Sequence, residues 1–390
     1  MNITYRLHNN ILYIGLDGRV DAANAQEVEK QIFEIKDAHP NTHTVIDADA
    51  LSYISSAGLR IILRLKKADA ELAIINVAPE VYDVFDMTGF VEMVKIEKAY
   101  RKMSVEGCDF LAKGANGAVY RYNDETILKV YYGEDTLPEI EQERANARKA
   151  FVMGINTAIP YGIVRVGKEY GTVTELLNAV SVSKLIKNNP DDLETPANYY
   201  VGMIKQIHST NAEGEGLPSN KEGFKKWLNF LKPHLLENQF NKLSALVEAI
   251  PETNTMLHGD YHTNNIMIQN GEAVLIDMDT LSVGHPIFEL GYMYNAFIGY
   301  SAANPLNVLG FLGYPIEVST KFWRLSLEKY FDTKDQAFLD SIEEKAILVG
   351  TVRALRHAIR HPEEELAEQK IAIYKQRIAT LLEKVDTLTF

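Results

Sequence analysis

Residues 257–266 read Leu-His-Gly-Asp-Tyr-His-Thr-Asn-Asn-Ile, and residues 274–279 read Val-Leu-Ile-Asp-Met-Asp. These two segments decide the fold because they place polar side chains at fixed intervals between apolar runs. Asn265 follows Asp260 by five positions, and Asp277 follows it by seventeen. A carboxylate can accept a proton from a hydroxyl group, and carboxylate and amide oxygens are ligands that Mg²⁺ prefers. The spacing therefore indicates a catalytic loop followed by a metal-binding strand end.

The pattern His-Gly-Asp-x-His-x-x-Asn, followed by Ile-Asp-x-Asp, resembles the aminoglycoside phosphotransferase and choline kinase superfamily, which has a protein-kinase-like fold. The resemblance implies that Asp260 is the catalytic base and that Asn265 and Asp277 bind Mg²⁺. It makes His262 a structural or phosphate-side residue of the same loop, whereas His258 is interpreted as a core histidine. The alternative interpretation is a polar loop of capping residues between two core elements.

The upstream half of such a fold is also visible. A small-residue turn, 113–120, lies between two predicted strands, and its Gly114, Asn116 and Gly117 would let backbone N–H groups approach phosphates. The same turn is also compatible with an ordinary hairpin. The resemblance to the phosphotransferase superfamily implies that these three residues bind the nucleotide.

Lys129 lies in an otherwise apolar predicted strand, and a buried lysine needs a charged partner. The resemblance assigns Lys129 to the α- and β-phosphates of ATP, with a glutamate of the next helix as its partner. Glu143 is the first choice, and the spacing leaves Glu139 and Glu141 open.

Residues 173–177 resemble the interlobe hinge, in which the backbone of Glu175 and Leu176 would bind adenine. Two departures from protein kinases matter. Gly259 stands where those kinases carry an arginine that responds to activation-loop phosphorylation, and Met278 with Asp279 replaces Phe-Gly. A small-molecule acceptor is therefore expected, and Asp279 either contacts a second metal or caps the following turn.

The first hundred residues carry a different pattern. Residues 53–60, Tyr-Ile-Ser-Ser-Ala-Gly-Leu-Arg, enter a predicted helix after a short strand and resemble the STAS fold of anti-sigma-factor antagonists. In that family a serine at the helix start is phosphorylated, and Ser56 occupies that position. Ser55 stands where the family usually has aspartate. The alternative is that Ser55 and Ser56 only cap the helix, while the STAS resemblance implies a protein partner.

The predicted fold class is an α/β STAS-like domain followed by an α+β, two-lobed, protein-kinase-like domain. We expect domains at 1–99, 100–177 and 178–390, the last two being the small and helical lobes. The first domain should contain strands at 3–7, 11–15, 44–46, 71–77 and 91–96 and helices at 21–38, 55–68 and 79–87.

Composition narrows the possible partners and location. The net charge of −13 argues against a nucleic-acid or anionic-membrane surface. The single cysteine, Cys108, cannot form an internal disulfide, which predicts a reducing, cytoplasmic location. Neither a signal peptide nor a membrane-spanning apolar run is visible in the sequence.

We therefore expect an enzyme that transfers the γ-phosphate of ATP, with Mg²⁺, to a hydroxyl group of a small molecule. The STAS domain would serve regulation or protein contacts. Two rivals are a non-catalytic nucleotide-sensing module and a kinase that acts on a protein serine. The acceptor should bind among the helices after Gly291, where five basic residues either meet an anionic group or form a solvated face. These five are Arg353, Arg356, His357, Arg360 and His361.

Overall fold

The structure is a computed structural model that describes residues 1–8, 10–114, 116–133 and 136–390. These residues form two compact units. One comprises Met1–Ser104 with Ile163–Lys168, and the other comprises Val105–Gly162 with Glu169–Phe390. Two residues of the predicted turns, Asn9 and Ala115, lie outside the described residues. Within the described part of the chain, no helix is long and apolar enough to cross a membrane.

The first unit is an α/β sheet with helices. Its strands are β1 (Asn2–His8), β2 (Ile11–Val20), β3 (His43–Asp47), β4 (Leu51–Ile54), β5 (Ala73–Val77), β6 (Lys95–Lys98) and β7 (Arg101–Met103). Its helices are α1 (Ala25–Asp37), α2 (Ser56–Ala68) and α3 (Pro79–Met87). The sheet has the order β1-β2-β3-β5-β6, with β4 also paired to β2. β1 is antiparallel to β2, and the other pairs are parallel.

Alternating apolar residues explain how this unit forms its core. Leu12, Ile14 and Leu16 of β2 are buried, and the apolar face of α2 belongs to the same cluster. The three predicted helices correspond to α1, α2 and α3. The strand predicted at 91–96 is wrong in its first half, since Phe90–Glu92 forms a 3₁₀ turn and β6 begins at Lys95.

The second unit begins with a small antiparallel sheet and continues mainly as helices. Its strands are β8 (Asp109–Lys113), β9 (Gly117–Arg121), β10 (Thr126–Tyr131), β11 (Pro160–Val166), β12 (Glu169–Glu175), β13 (Val180–Ser181), β14 (Met256–Leu257), β15 (Ile266–Gln269), β16 (Glu272–Leu275) and β17 (Ser282–Val283). Residues 163–166 of β11 belong to the first unit. Its helices are α4 (Leu137–Val152), α5 (Val182–Asn188), α6 (Glu194–Ser209), α7 (Asn220–Leu231), α8 (Glu237–Glu248), α9 (Ile287–Phe297), α10 (Leu306–Leu312), α11 (Ile316–Phe331), α12 (Gln336–Arg360) and α13 (Ala367–Leu382). In the sheet, β10 lies between β12 and β9, and β8 follows β9.

Helix α9 forms the centre of the helical part. All of its residues are buried, as expected for a helix that is apolar around its whole circumference. It packs closely on α12 because Gly291 has no side chain. A Cβ atom at this position would lie 2.6 Å from Val349. The buried Asn295 donates a hydrogen bond to the Gly350 carbonyl at 2.7 Å. This contact joins the C-terminal half of α9 to α12.

A buried histidine makes this unit sensitive to acid. Burial, together with the charges of His208 and Lys345, lowers the pKa of His285 from 6.5 to about 4. The His285 Nδ1 atom accepts a hydrogen bond from the Ile287 backbone N–H at 3.2 Å, which requires the neutral ring. The unfolded chain binds this proton first as the pH falls, so the stabilisation is complete above 6.5 and is lost towards 4. The difference between these two pKa values corresponds to at most about 3 kcal/mol in the free energy of unfolding.

We expect His285→Gln to reduce the loss of stability between pH 7 and pH 4.5. Urea unfolding followed by tryptophan fluorescence isolates this unit, because Trp227 and Trp323 both belong to it. His361→Gln is a matched control, since the His361 side chain is 42% exposed. An equal acid sensitivity of wild type and the His285 variant would show that another group carries the effect.

Candidate active site

The predicted catalytic loop occupies residues 258–265, between β14 and β15. A buried carboxylate holds its start. Glu289 of α9 is 0% exposed and accepts hydrogen bonds from the backbone N–H groups of His258 at 2.6 Å and Gly259 at 3.0 Å. Two neutral backbone donors satisfy a charge that would otherwise be costly to bury. The beginning of the loop is therefore fixed to the central helix.

The conformation of Gly259 explains why a larger residue is absent there. Its φ angle is +85°, and a Cβ atom would lie 2.5 Å from the Thr280 carbonyl oxygen. The Thr280 hydroxyl donates to the His258 carbonyl at 2.7 Å. The loop is thus packed directly on the segment that follows Asp277, and only glycine fits without strain.

The Asp260 carboxylate lies between two basic side chains. His262 Nε2 is 3.4 Å from Asp260 Oδ2, and Arg353 Nη2 is 3.9 Å from Oδ1. Burial alone would raise the pKa of Asp260, but the His262 hydrogen bond and the charges of His262 and Arg353 outweigh it and lower the pKa to about 2. Asp260 is therefore ionised throughout the neutral range and can accept a hydrogen bond from a hydroxyl group.

A second cluster joins β10, α4 and the end of β16. Lys129 Nζ donates to Glu143 Oε1 at 3.0 Å and lies 3.5 Å from Asp277 Oδ1. Burial alone would lower the pKa of Lys129, but Asp277 and Glu143 outweigh it and raise that pKa above its ordinary value. The lysine is therefore a fixed positive charge. The partner that the structure gives it is Glu143, which the spacing had left among three glutamates.

The backbone conformation and the hydrogen bonding of Asp277 are both compatible with a metal ligand. It adopts the left-handed region at φ +65°, which costs a residue other than glycine of the order of 1 kcal/mol or more. Its Oδ1 atom is buried and, apart from the ion pair with Lys129 at 3.5 Å, has no hydrogen-bond partner among the described residues. Asn265 uses its Nδ2 to donate to the Asp260 carbonyl at 3.0 Å, which leaves its amide oxygen as the group able to bind a metal.

These donors fit Mg²⁺. The ion is commonly held by one or two protein carboxylates, with phosphate oxygens and water completing the shell. Among the described residues there is no group of three or more His, Cys, Asp or Glu side chains suited to a metal. A site built from Asp277, Asn265 and a nucleotide meets the preference of Mg²⁺ without such a group. Asp279 lies two residues after Asp277 and is exposed. Partial desolvation and the charges of Asp277 and Glu143 raise its pKa to about 7.

Two buried groups of this cluster were not predicted from the sequence. Asn146 is 1% exposed and donates from Nδ2 to the Met278 carbonyl at 2.9 Å, which ties α4 to the segment after Asp277. The Tyr131 hydroxyl donates to Glu143 Oε2 at 2.7 Å. Asn146 follows Glu143 by three positions, so both lie on one face of α4. The three-residue spacing from Glu143 is the sequence feature from which Asn146 could have been predicted.

The predicted nucleotide turn joins β8 to β9. The Gly114 N–H donates to the Gly117 carbonyl at 2.9 Å, and the Asn116 carbonyl accepts from the Tyr132 N–H at 3.0 Å. A Cβ atom at Gly117 would collide with the Val130 carbonyl oxygen. Glycine is therefore required at 117 by contact with the neighbouring strand, whatever the turn binds.

The predicted hinge follows β12, and its backbone is partly committed. The Leu176 N–H donates to the Glu125 carbonyl at 2.7 Å, so Leu176 can offer adenine only its carbonyl oxygen. Glu175 lines a cavity of about 420 Å³ together with Thr157 and Val274, and none of Lys129, Asp260 or Asp277 borders that cavity. The structure thus places Glu175 beside a different cavity from the one that Asp260 lines, and Leu176 lines neither.

Asp260 borders a larger cavity of about 560 Å³ formed mainly by α9, α10, α12 and α13. Its aromatic lining residues are His262, Tyr292, Tyr300, Phe311, His357 and Tyr374. Of the five basic residues considered from the sequence, Arg353 and His357 line it, whereas Arg356 lies over the Trp227 ring at 5.2 Å. Arg360 and His361 are not among the lining residues.

The comparison with protein families decides the classification. Residues 108–310 match the model described as the phosphotransferase enzyme family. The chain belongs to that family. Residues 2–103 of this phosphotransferase-family chain match the STAS domain model. Both predicted resemblances and the predicted fold class are therefore confirmed.

The relatives of the two parts differ. BtrV of Bordetella bronchiseptica, a protein named as an anti-sigma factor antagonist, is 32% identical over 100 residues, which are 25% of this chain and 85% of BtrV. The anti-sigma F factor antagonist of Paenibacillus polymyxa is 26% identical over 100 residues, or 25% of this chain and 86% of that protein.

Among solved structures, the ADP-bound aminoglycoside phosphotransferase APH(2'')-Ib is 16% identical, with a TM-score of 0.48, over 73% of this chain and 94% of that one. A choline/ethanolamine kinase family protein from Mesorhizobium loti is 15% identical, with a TM-score of 0.45, over 71% and 88%.

Proposed function

We propose that this chain transfers the γ-phosphate of ATP to a hydroxyl group of a small molecule, with Mg²⁺ as the metal. The observation that carries the proposal is an ionised Asp260 at the edge of a cavity of about 560 Å³. That volume lies within the roughly 300–1,000 Å³ typical of small-molecule sites. The cavity volume and its aromatic lining therefore favour a small acceptor.

Each side chain of the site has a definite part in this proposal. Lys129, held by Glu143, binds the phosphates, and Asp277 with Asn265 would hold Mg²⁺, which neutralises charge on the phosphates when bound. Asp260 accepts a hydrogen bond from the acceptor hydroxyl and orients its oxygen towards the γ-phosphorus. It takes the proton as the new P–O bond forms and the bond to ADP breaks.

The remaining predicted residues would bind the nucleotide. In the proposal, the backbone of Gly114, Asn116 and Gly117 covers the phosphates, and the hinge carbonyls of Glu175 and Leu176 face adenine. The domain limits at 99 and 177 stay predictions, as does the cytoplasmic location, which rests on the single cysteine.

The test is a screen of hydroxyl compounds with γ-labelled ATP, with and without Mg²⁺. The proposal expects label to appear in one class of acceptor only when Mg²⁺ is present. Nucleotide binding without transfer to any compound would favour the sensing module. Label in serine of an added protein would favour a protein kinase.

We also propose that the STAS domain makes a protein contact that is controlled at the start of α2. Ser55 is the N-cap, and its side chain accepts from the Gly58 N–H at 3.4 Å. Ser56 is the first residue of the helix and is exposed, as a phosphorylated residue must be. Capping is therefore done by Ser55, which leaves the Ser56 hydroxyl available.

We expect Ser56→Asp to weaken a STAS-mediated contact while leaving phosphotransfer largely unchanged. Phosphate would add about −1.5 to −2 charges, and a helix start tolerates such charge. Sedimentation of the full chain, alone and with an anti-sigma factor kinase domain as probe, reports the contact. Ser56→Asn is the matched uncharged control. Equal assembly of both variants and wild type would reduce Ser56 to a surface residue.

A further inference from the structure

The charged groups that line the 560 Å³ cavity are already paired with one another. Asp260 has Arg353 and His262 as neighbours, at 3.9 Å and 3.4 Å. Across the cavity, Glu364 accepts from Lys370 Nζ at 3.0 Å and lies 2.8 Å from His357 Nε2. The two carboxylates are matched by one arginine and one lysine. Each Asp, Glu, Lys and Arg among the described lining residues thus already has a partner of opposite charge.

Arg353 places a fixed positive charge beside the proposed base. Its Nη1 donates to the Gly259 carbonyl at 2.8 Å, and its guanidinium lies 4.3 Å from the centre of the Tyr292 ring. The side chain is 23% exposed, so water screens it only in part. A cationic acceptor would have to bring its charge towards Arg353 in order to reach Asp260. Among the described rings that line the cavity, Tyr292 has a cation over its face, and that cation is Arg353 itself.

The remaining lining suits an uncharged ring that carries hydroxyl groups. Tyr300, Phe311 and Tyr374 supply flat apolar surfaces, and Ser301 and Asn307 supply neutral hydrogen-bonding groups. Sites with apolar aromatic walls and few polar groups bind mainly through packing and take their selectivity from hydrogen bonds. On the basis of the proposed function, we infer that the acceptor is an uncharged, ring-shaped polyhydroxy compound of the carbohydrate class, and that Arg353 and the Glu364–Lys370 pair exclude cations.

Ligand binding measured without turnover tests this inference independently of the proposed function. Calorimetry and saturation-transfer NMR on the full chain would use three probe classes, with a non-hydrolysable ATP analogue and Mg²⁺ present. Glucose, ribose and myo-inositol are the neutral probes, kanamycin and choline the cations, and glucuronate the anion. We expect at least one neutral probe to bind about tenfold more tightly than every charged one.

A charge-release variant sharpens the test. Lys370→Gln removes the ammonium partner of Glu364 and leaves it only the contact with His357. This less compensated carboxylate should raise the affinity for kanamycin by about fivefold. Lys384→Gln is the matched control, because it likewise frees a glutamate, Glu344, whose partner lies 3.3 Å away and which does not line the cavity. The control should leave all affinities unchanged.

The outcomes separate the two levels of the argument. Tighter binding of a cation or of glucuronate by the wild type, or binding of no probe, would overturn the inference even if phosphate is transferred to some other acceptor. Equal affinities of wild type and the Lys370 variant for kanamycin would remove Glu364 from the selectivity. Sugar binding in a protein that never transfers phosphate would keep the inference and reject the proposed function.

Discussion

Asp260→Asn is expected to lower the rate of phosphoryl transfer by about 10²- to 10⁴-fold, the range typical of losing a general base. An amide of the same shape can still touch the acceptor but cannot take its proton. Nucleotide affinity should change little, because Lys129 and the metal ligands are untouched. Steady-state kinetics should therefore show a fall in kcat, with calorimetry showing an ADP–Mg²⁺ affinity near that of the wild type.

The surroundings of Asp260 add a second expectation. With its pKa lowered to about 2 by His262 and Arg353 against the effect of burial, this carboxylate stays ionised from pH 5 to pH 8. The transfer rate of the wild type should therefore show no titration of Asp260 in that interval. Asp332→Asn is a suitable control, since Asp332 is exposed and, at φ +49°, tolerates asparagine. Full turnover in the Asp260 variant would reject the assignment of the base.

Most elements of the first unit could be predicted from local sequence patterns. The errors of this prediction were also confined to short segments. Apolar alternation in β2 and helical spacing in α2 identified the elements of the first unit. β4 was not predicted, because a strand of four residues is too short for an alternating apolar pattern to be recognised. A strand was predicted over Val91, but Phe90–Glu92 forms a 3₁₀ turn and β6 begins only at Lys95. β-branched residues favour strands, but tertiary packing decided this segment.

The site divides in the same way between local and distant information. Loop spacing places Asp260 and Asn265 on one short segment, so those residues could be chosen from the sequence. Helical spacing alone could not choose Glu143 from its neighbours. The partner of Asn146 is 132 positions away, and Arg353 reaches a carbonyl 94 positions away. Such contacts arise from how α4 and α12 pack, and a single sequence carries no trace of that packing.

The cavity also depends on distant contacts. Tyr292, Tyr300 and Tyr374 come from three separate segments, and the sequence gives no reason to group them. Their convergence follows from the close packing of α9 on α12, which Gly291 permits, and from α13 packing on α12. In the sequence, Arg353 is one of five basic residues that cannot be told apart. Only the helix packing distinguishes it, because it turns this residue towards Asp260.

Asp277→Ala should abolish most of the magnesium-dependent part of the nucleotide affinity. This carboxylate is the charged member of the proposed metal site, and its Oδ1 is buried without a hydrogen bond among the described residues. Removing a residue that merely supports a metal ligand typically costs about 10- to 100-fold in affinity. Loss of the ligand itself should cost at least as much. Calorimetry of ATP analogue binding, with and without Mg²⁺, gives the dependence directly.

A second substitution separates metal binding from backbone conformation. Asp277 adopts φ +65°, which asparagine tolerates better than alanine, so part of the effect of alanine could be on folding. Asp277→Asn keeps the shape and an oxygen donor but removes the charge that faces both Lys129 and the metal. If the carboxylate binds Mg²⁺, Asp277→Asn also loses magnesium dependence while its thermal unfolding stays near that of the wild type. If magnesium dependence survives in Asp277→Asn and falls only in the alanine variant together with stability, the backbone conformation is the cause and the metal ligands lie elsewhere.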